Sequence, residues 1–262
     1  MHRGFNLTLD TTTETFKNYQ EIGKQFMAAT WPKVKPTYDL LDADVINADD
    51  VMADWFKQVD ANVFISHSHD DKDVALGLAG FLKHHLGLRP FIDSLIWEDS
   101  NTLLRAIDEK YCKADDKIHF DYDKRNYSTS HVRMMLASSL TEAIDRSECI
   151  LFLNTPASIK VSDAEKKAAQ KTASPWIYHE LNTSRLIRPR PIARPAVSLK
   201  AHRTATMESA SFEYSAPVAH LTPLDNDDLL EWAKIVLETK LNPLGALYAL
   251  HPASVPKIPA HD

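Results

Sequence analysis

The chain has 262 residues, of which 44% are hydrophobic and 25% charged, and a formal net charge of −6. That composition suits one large globular domain, or one domain with extensions, and the acidic balance argues against a nucleic-acid-binding surface. No apolar run reaches the ~20 residues that a membrane span needs. Cys112 and Cys149 are the two cysteines, far apart in sequence, so neither a disulfide framework nor a CxxC metal site is expected. The first residues, Met1 to Phe5, lack the apolar core of a signal peptide, and a cytoplasmic, reduced setting is the expectation. The six glycines form neither GxGxxG nor GxxxxGK[ST], which excludes the glycine-backed phosphate cradles of Rossmann oxidoreductases and P-loop NTPases.

In chain order, residues 13–29 carry Phe16, Tyr19, Ile22, Phe26 and Met27 at helical spacing, ended by Trp31-Pro32 and Lys35-Pro36. A shorter helix is expected over 49–59 with Val51, Trp55 and Phe56 on one face. Residues 1–60 thus read as a helical N-terminal extension. The stretch 61–73 then organises the chain. Val63, Phe64 and Ile65 suit a buried strand, and Ser68, Asp70 and Asp71 offer oxygens to the free N–H groups of a starting helix. Apolar positions through Leu82 and a stop at Gly87 complete that helix, and residues 89–93 form the next strand. This strand–helix–strand unit predicts a parallel sheet whose rim is lined by residues 66–69 and 93–97.

Residues 100–111 read as a helix, 113–129 as a long charged segment with no clear period, and 130–146 as a second helix. Residues 149–154 form a continuous apolar strand. A solvated insertion is expected over 160–172, followed by a helix that Ser174 caps and Pro175 starts, broken at 188–191. Short strands are expected over 192–199 and 212–221, and a helix capped by Asp225 over 225–239. The tail 242–262, with four prolines, is expected to be extended.

With these blocks in order, the chain resembles the Toll/interleukin-1 receptor (TIR) domain family, in its bacterial NAD-cleaving branch found in anti-phage defence. The resemblance rests on Val63-Phe64-Ile65-Ser66-His67-Ser68, Phe91-Ile92-Asp93, residues 150–156, and Trp176-Ile177-Tyr178-His179-Glu180 as a WxxxE segment. It covers roughly residues 61–225. It implies an α/β fold, a flavodoxin-like parallel sheet flanked by helices, here with an N-terminal helical extension. The implied TIR-like domain is 61–240, with a long insertion over about 94–129 and an extended tail from 241. It further implies an NAD glycohydrolase or ADP-ribosyl cyclase, a hydrolase that releases nicotinamide and leaves ADP-ribose or a cyclic signal. NAD is then substrate and no cofactor or metal is called for.

By the same resemblance Glu180 is the catalytic carboxylate, and Ser66, His67, Ser68, Asp93, Trp97 and Trp176 contact substrate. Expected partners are other TIR subunits through self-association, and a separate effector answering the product, with neither nucleic acid nor membrane involved. Two alternatives stand beside this. A non-enzymatic TIR scaffold that acts by self-association needs no carboxylate at position 180. A zinc metallohydrolase would use His67-Ser68-His69-Asp70-Asp71, an HxHxD pattern that lacks its usual closing histidine because Lys72 follows.

Overall fold

In the computed structural model the described residues are 1–9, 16–31, 36–42, 45–97, 99–159, 170–191 and 214–252. Five parallel strands make the central sheet: β1 (Arg3–Leu7), β2 (Val63–Ser66), β3 (Pro90–Phe91), β4 (Cys149–Leu153) and, after a two-stranded ribbon of β5 (Lys171–Thr172) and β6 (Tyr214–Ser215), β7 (Thr222–Leu224). Their spatial order is β3-β2-β4-β1-β7. Counted from β2, the first three positions follow the flavodoxin-like order 2-1-3. The fourth position is held by β1, the N-terminal strand, between β4 and β7.

β1 corrects the expectation of a purely helical segment over residues 1–60. Phe5, Leu7 and Leu9 alternate with polar residues, which is the pattern of a strand, and all three are buried. β2 and β4 are buried on both faces, which explains their uninterrupted apolar runs.

Helices cover both faces. Those of the first half are α1 (Gln20–Thr30), α2 (Ala48–Trp55), α3 (Lys72–Leu86), α4 (Asp93–Ile96) and α5 (Ser100–Tyr111). The second half supplies α6 (Tyr122–Arg146), α7 (Pro175–Leu186), α8 (Asn226–Thr239) and α9 (Pro243–Leu250). α3 packs on α1 and α8, and α8 on α9; α6 packs on α2, α5 and α7. α1 and α3 approach closely enough that a side chain at Gly80 would strike the Tyr19 carbonyl, and one at Gly23 the Leu76 carbonyl. Gly87 ends α3 in the left-handed conformation, at φ +63°.

Two further expectations are corrected. α6 begins at Tyr122, eight residues before the periodic stretch, because Asp121 caps it by accepting from the Lys124 amide at 2.9 Å. Its first turns face solvent and so carry no apolar period to read. The start of the tail is helical: Asn242 accepts from the Gly245 amide at 3.0 Å, Pro243 occupies the first turn, and α9 is almost wholly buried. The same pairing of a capping side chain with a following proline marks α7 at Ser174-Pro175. The strand expected at 192–199 and the insertion at 160–169 lie outside the described residues, as do 253–262 of the tail. Among the described residues no helix is long and apolar enough to cross a membrane.

Candidate active site

Ser66 is the last residue of β2, and in a parallel sheet the strand's carboxyl end is where side chains and loops are free to meet a ligand. β2 adjoins β4 at the point where the chain turns away to β3 on one side and the sheet continues to β1 on the other. The loops that follow these strands are stitched together. Thr155 Oγ1, after β4, donates to Asp71 Oδ2, after β2, at 2.5 Å. His67 Nε2 lies 3.2 Å from Ser94 Oγ, after β3.

α7 brings Glu180 over this rim. Ser174 Oγ accepts from the Ile177 amide at 3.2 Å and Pro175 fills a first-turn position that needs no N–H. On the α6 side His179 Nε2–H donates to the Ala137 carbonyl at 3.0 Å, and the Arg133 guanidinium lies 5.6 Å from the Trp176 ring centroid. Tyr178 stacks on Tyr214 of β6, centroids 4.6 Å apart. These ties fix the rotation of α7, which turns Glu180 inward.

Glu180 is 4% exposed, and Ser66 Oγ donates to its Oε2 at 2.5 Å. Burial pushes the Glu180 carboxyl well above the usual carboxylate range; the Asp93 charge adds to the rise and the Ser66 hydroxyl opposes it. A buried acid that has, among the described residues, one hydroxyl partner, no cation against it and a second carboxylate nearby is an under-compensated charge site. Two carboxyl groups whose environments differ can divide the roles of acid and base, or of charge stabiliser and hydroxyl ligand.

Comparison with models of protein families, with curated proteins and with solved structures found no match. The site therefore stands on its own geometry. Of the residues singled out in the sequence, Ser66 and Glu180 are in direct contact and Asp93 lies close enough for its charge to act on Glu180. His67 stays on the rim, half-buried, its other nitrogen 3.4 Å from the Ile65 carbonyl. Ser68 stays half-buried at the turn that starts α3, where its carbonyl accepts from the Asp71 amide at 2.9 Å and its side chain makes no cap bond. Trp176 is half-buried and lies under Arg133, on the flank of α7 that faces α6.

Trp97 is a correction. It is 3% exposed, its indole N–H donates to the Lys57 carbonyl at 2.8 Å, and its ring packs edgewise on Phe56 and Phe91. Buried, with its donor engaged, it is a core anchor with no open surface for a ligand ring. The HxHxD residues likewise diverge: His67 turns to Ser94, His69 is exposed, and Asp71 is bound to Thr155. Among the described residues no group of three or more His, Cys, Asp or Glu is placed to hold a metal ion.

One residue on this face escaped the sequence reading. Asn6 of β1 pairs with Phe152 of β4, which pairs with Ser66 of β2, so the three share a row and a sheet face. At 4.7–4.9 Å per strand, Asn6 stands roughly 10 Å from Ser66. Its Oδ1 is buried without a hydrogen-bond partner. An orphaned acceptor in an inner strand, level with the Ser66–Glu180 pair, is a ready partner for a ligand N–H or O–H.

Proposed function

We propose that this protein is an NAD-cleaving enzyme of the TIR type, with Glu180 as the carboxylate that faces the developing ribosyl cation. The observation that carries this reading is the burial of Glu180 against Ser66 and beside Asp93 at the carboxyl end of β2. Cleavage breaks the bond between ribose C1′ and the nicotinamide nitrogen, and the bonding electrons leave with nicotinamide as a neutral molecule. No strong acid is needed at the leaving group. What the step needs is negative charge close to C1′ in a water-poor site, and a carboxylate fixed there is worth most where the dielectric is low.

The raised pKa of Glu180 fits this role once the charge of the substrate is counted. The free protein holds Glu180 protonated over a wider pH range than an ordinary glutamate. The pyridinium ring of bound NAD is cationic and favours the ionised form, so binding releases a proton and creates the charged pair only where it is used. Asp93 then takes a ribose hydroxyl, and Ser66 orients the Glu180 carboxylate. Water attacking C1′ gives ADP-ribose and a proton; attack by the substrate's own adenine gives a cyclic product. Self-association with further copies, and a separate effector for the product, belong to the same reading.

The experiment is nicotinamide release from NAD by purified protein at high concentration, beside Glu180→Gln, with products separated by chromatography. Release by the wild type, reduced about 10²–10³-fold in the variant, is the expected result. Equal release from both would remove Glu180 from its assigned role, and release from neither would leave the non-enzymatic self-association module as the better reading.

A further inference from the structure

A second chemically distinct feature lies away from the Ser66–Glu180 pair. A cavity of about 710 Å³ opens between the carboxyl end of α5, the first half of α6 and residues 45–48. Ile46, Ile107, Tyr111 and Met135 are among its walls, and neither Ser66, Asp93 nor Glu180 lines it. A volume of this size with mostly apolar and aromatic walls is typical of sites for drug-sized molecules.

The lining residues of α6 are spaced by the helix. Lys124, Tyr127, Ser128, His131 and Met135 fall on one stripe at intervals of three and four, so a cation, a ring, a hydroxyl, an imidazole and a thioether follow one another along one wall. Tyr127 is 70% exposed and its ring lies 4.4 Å from that of His131. Val45, on the opposite lip, is 82% exposed. Two apolar side chains at the mouth are thus left in water that an occupant would displace.

The charges are unevenly used. Arg125, next to Lys124, is committed to buried Asp108 at 2.8 Å. Lys124 itself makes no salt bridge among the described residues and lines the cavity mouth. Asp123 is the acidic group among the described lining residues; it lies about 100° around the helix from Lys124, at the edge of the stripe beside Tyr127, so the two charges occupy different sides of that wall.

We propose that this cavity is a small-molecule binding site, separate from the carboxylate site, for a planar aromatic compound that carries a single anionic group. The ring lies along Tyr127 and the apolar wall, and the anion reaches Lys124.

The test uses two fluorescent probes that differ by one charge: 1-anilinonaphthalene-8-sulfonate and its uncharged parent, N-phenyl-1-naphthylamine. Each is titrated into the full chain, with near-UV circular dichroism confirming that every variant is folded. The expected result is one saturable site that takes the sulfonate about ten-fold tighter than the parent. Lys124→Ala removes that preference, Tyr127→Ala weakens both probes about ten-fold, and Tyr122→Ala, on the exposed side of α6, changes neither. Glu180→Gln leaves both titrations unchanged, so the result is independent of whether NAD is cleaved. Absence of saturable binding, equal affinity for the two probes, or binding indifferent to both Lys124→Ala and Tyr127→Ala would overturn the proposal.

Discussion

Two buried carboxylates in this molecule have opposite surroundings. Asp108 of α5 is 2% exposed and fully answered: Arg125 Nε donates to its Oδ2 at 2.8 Å and Ser128 Oγ to its Oδ1 at 2.6 Å. Glu180 of α7 is as deeply buried, but among the described residues one hydroxyl hydrogen-bonds to it, and the charge acting on it is a second carboxylate. The first arrangement anchors α6 to α5. The second leaves a charge that the fold alone does not compensate, which a stable protein tolerates only where the group has another use. Burial alone does not distinguish a structural acid from a functional one; the count and sign of its partners does.

The comparison is broken most severely by Arg125→Ala. Asp108 then keeps one serine partner, and because the lost guanidinium is itself half exposed the expected cost is about 1.5–3 kcal/mol in urea unfolding at neutral pH. Glu180→Gln acts the other way. Because the folded-state pKa of Glu180 is raised, its favourable contribution is complete below its ordinary value of 4.5 and is lost as pH rises through the folded pKa. The amide has no such loss, so the variant should unfold at a higher temperature than the wild type at pH 8 and show a flatter dependence of Tm on pH. A variant that is less stable than the wild type at pH 8 would mean that Glu180 is a structural acid like Asp108.

Smaller effects sharpen the boundary of the site. Asn6→Ala removes one acceptor from the row that includes Ser66, and a lost ligand hydrogen bond of about 1 kcal/mol corresponds to a KM for NAD raised about five-fold with kcat little changed. Trp97→Phe should do the reverse of a site mutation. It loses the bond to the Lys57 carbonyl, about 1 kcal/mol of stability, and leaves KM unaltered.

The sequence made the parts of this architecture legible where a single pattern dominates. β2, β4 and α5 follow from apolar runs or helical spacing, and α3, α7 and α8 announce themselves through Gly87, Ser174-Pro175 and the cap at Asp225. β1 was harder, because an inner strand normally carries apolar residues on both faces, and Gly4 and Asn6 interrupt one of them. The interruption is informative in hindsight: Asn6 is polar where packing alone would choose an aliphatic side chain, and it stands level with Ser66. The first turns of α6 were hidden for a different reason. They are held by Asp121 and by the Asp108–Arg125–Ser128 contacts, which leave no hydrophobic periodicity in the chain.

At the candidate site, the strand ends and the WxxxE segment point in the sequence to Ser66, Asp93 and Glu180, which the fold brings near one another. Trp97 was misplaced because an indole just past a strand reads the same whether it turns out to a ligand or in against Phe56 and Phe91. That orientation is decided by tertiary packing, which spacing along one chain does not encode.

The role proposed for Glu180 is that of a carboxylate whose ionisation is suppressed in the free protein and restored by a cationic substrate. Its most direct test is the pH dependence of kcat/KM for nicotinamide release by the wild type and by Ser66→Ala. Because kcat/KM reports the free protein, it should rise with pH as Glu180 ionises through its raised pKa. Loss of the Ser66 hydroxyl, which holds that pKa down, should displace the rise to higher pH. Superimposable profiles from the two proteins, or a kcat/KM that falls with pH over the same interval, would contradict the account.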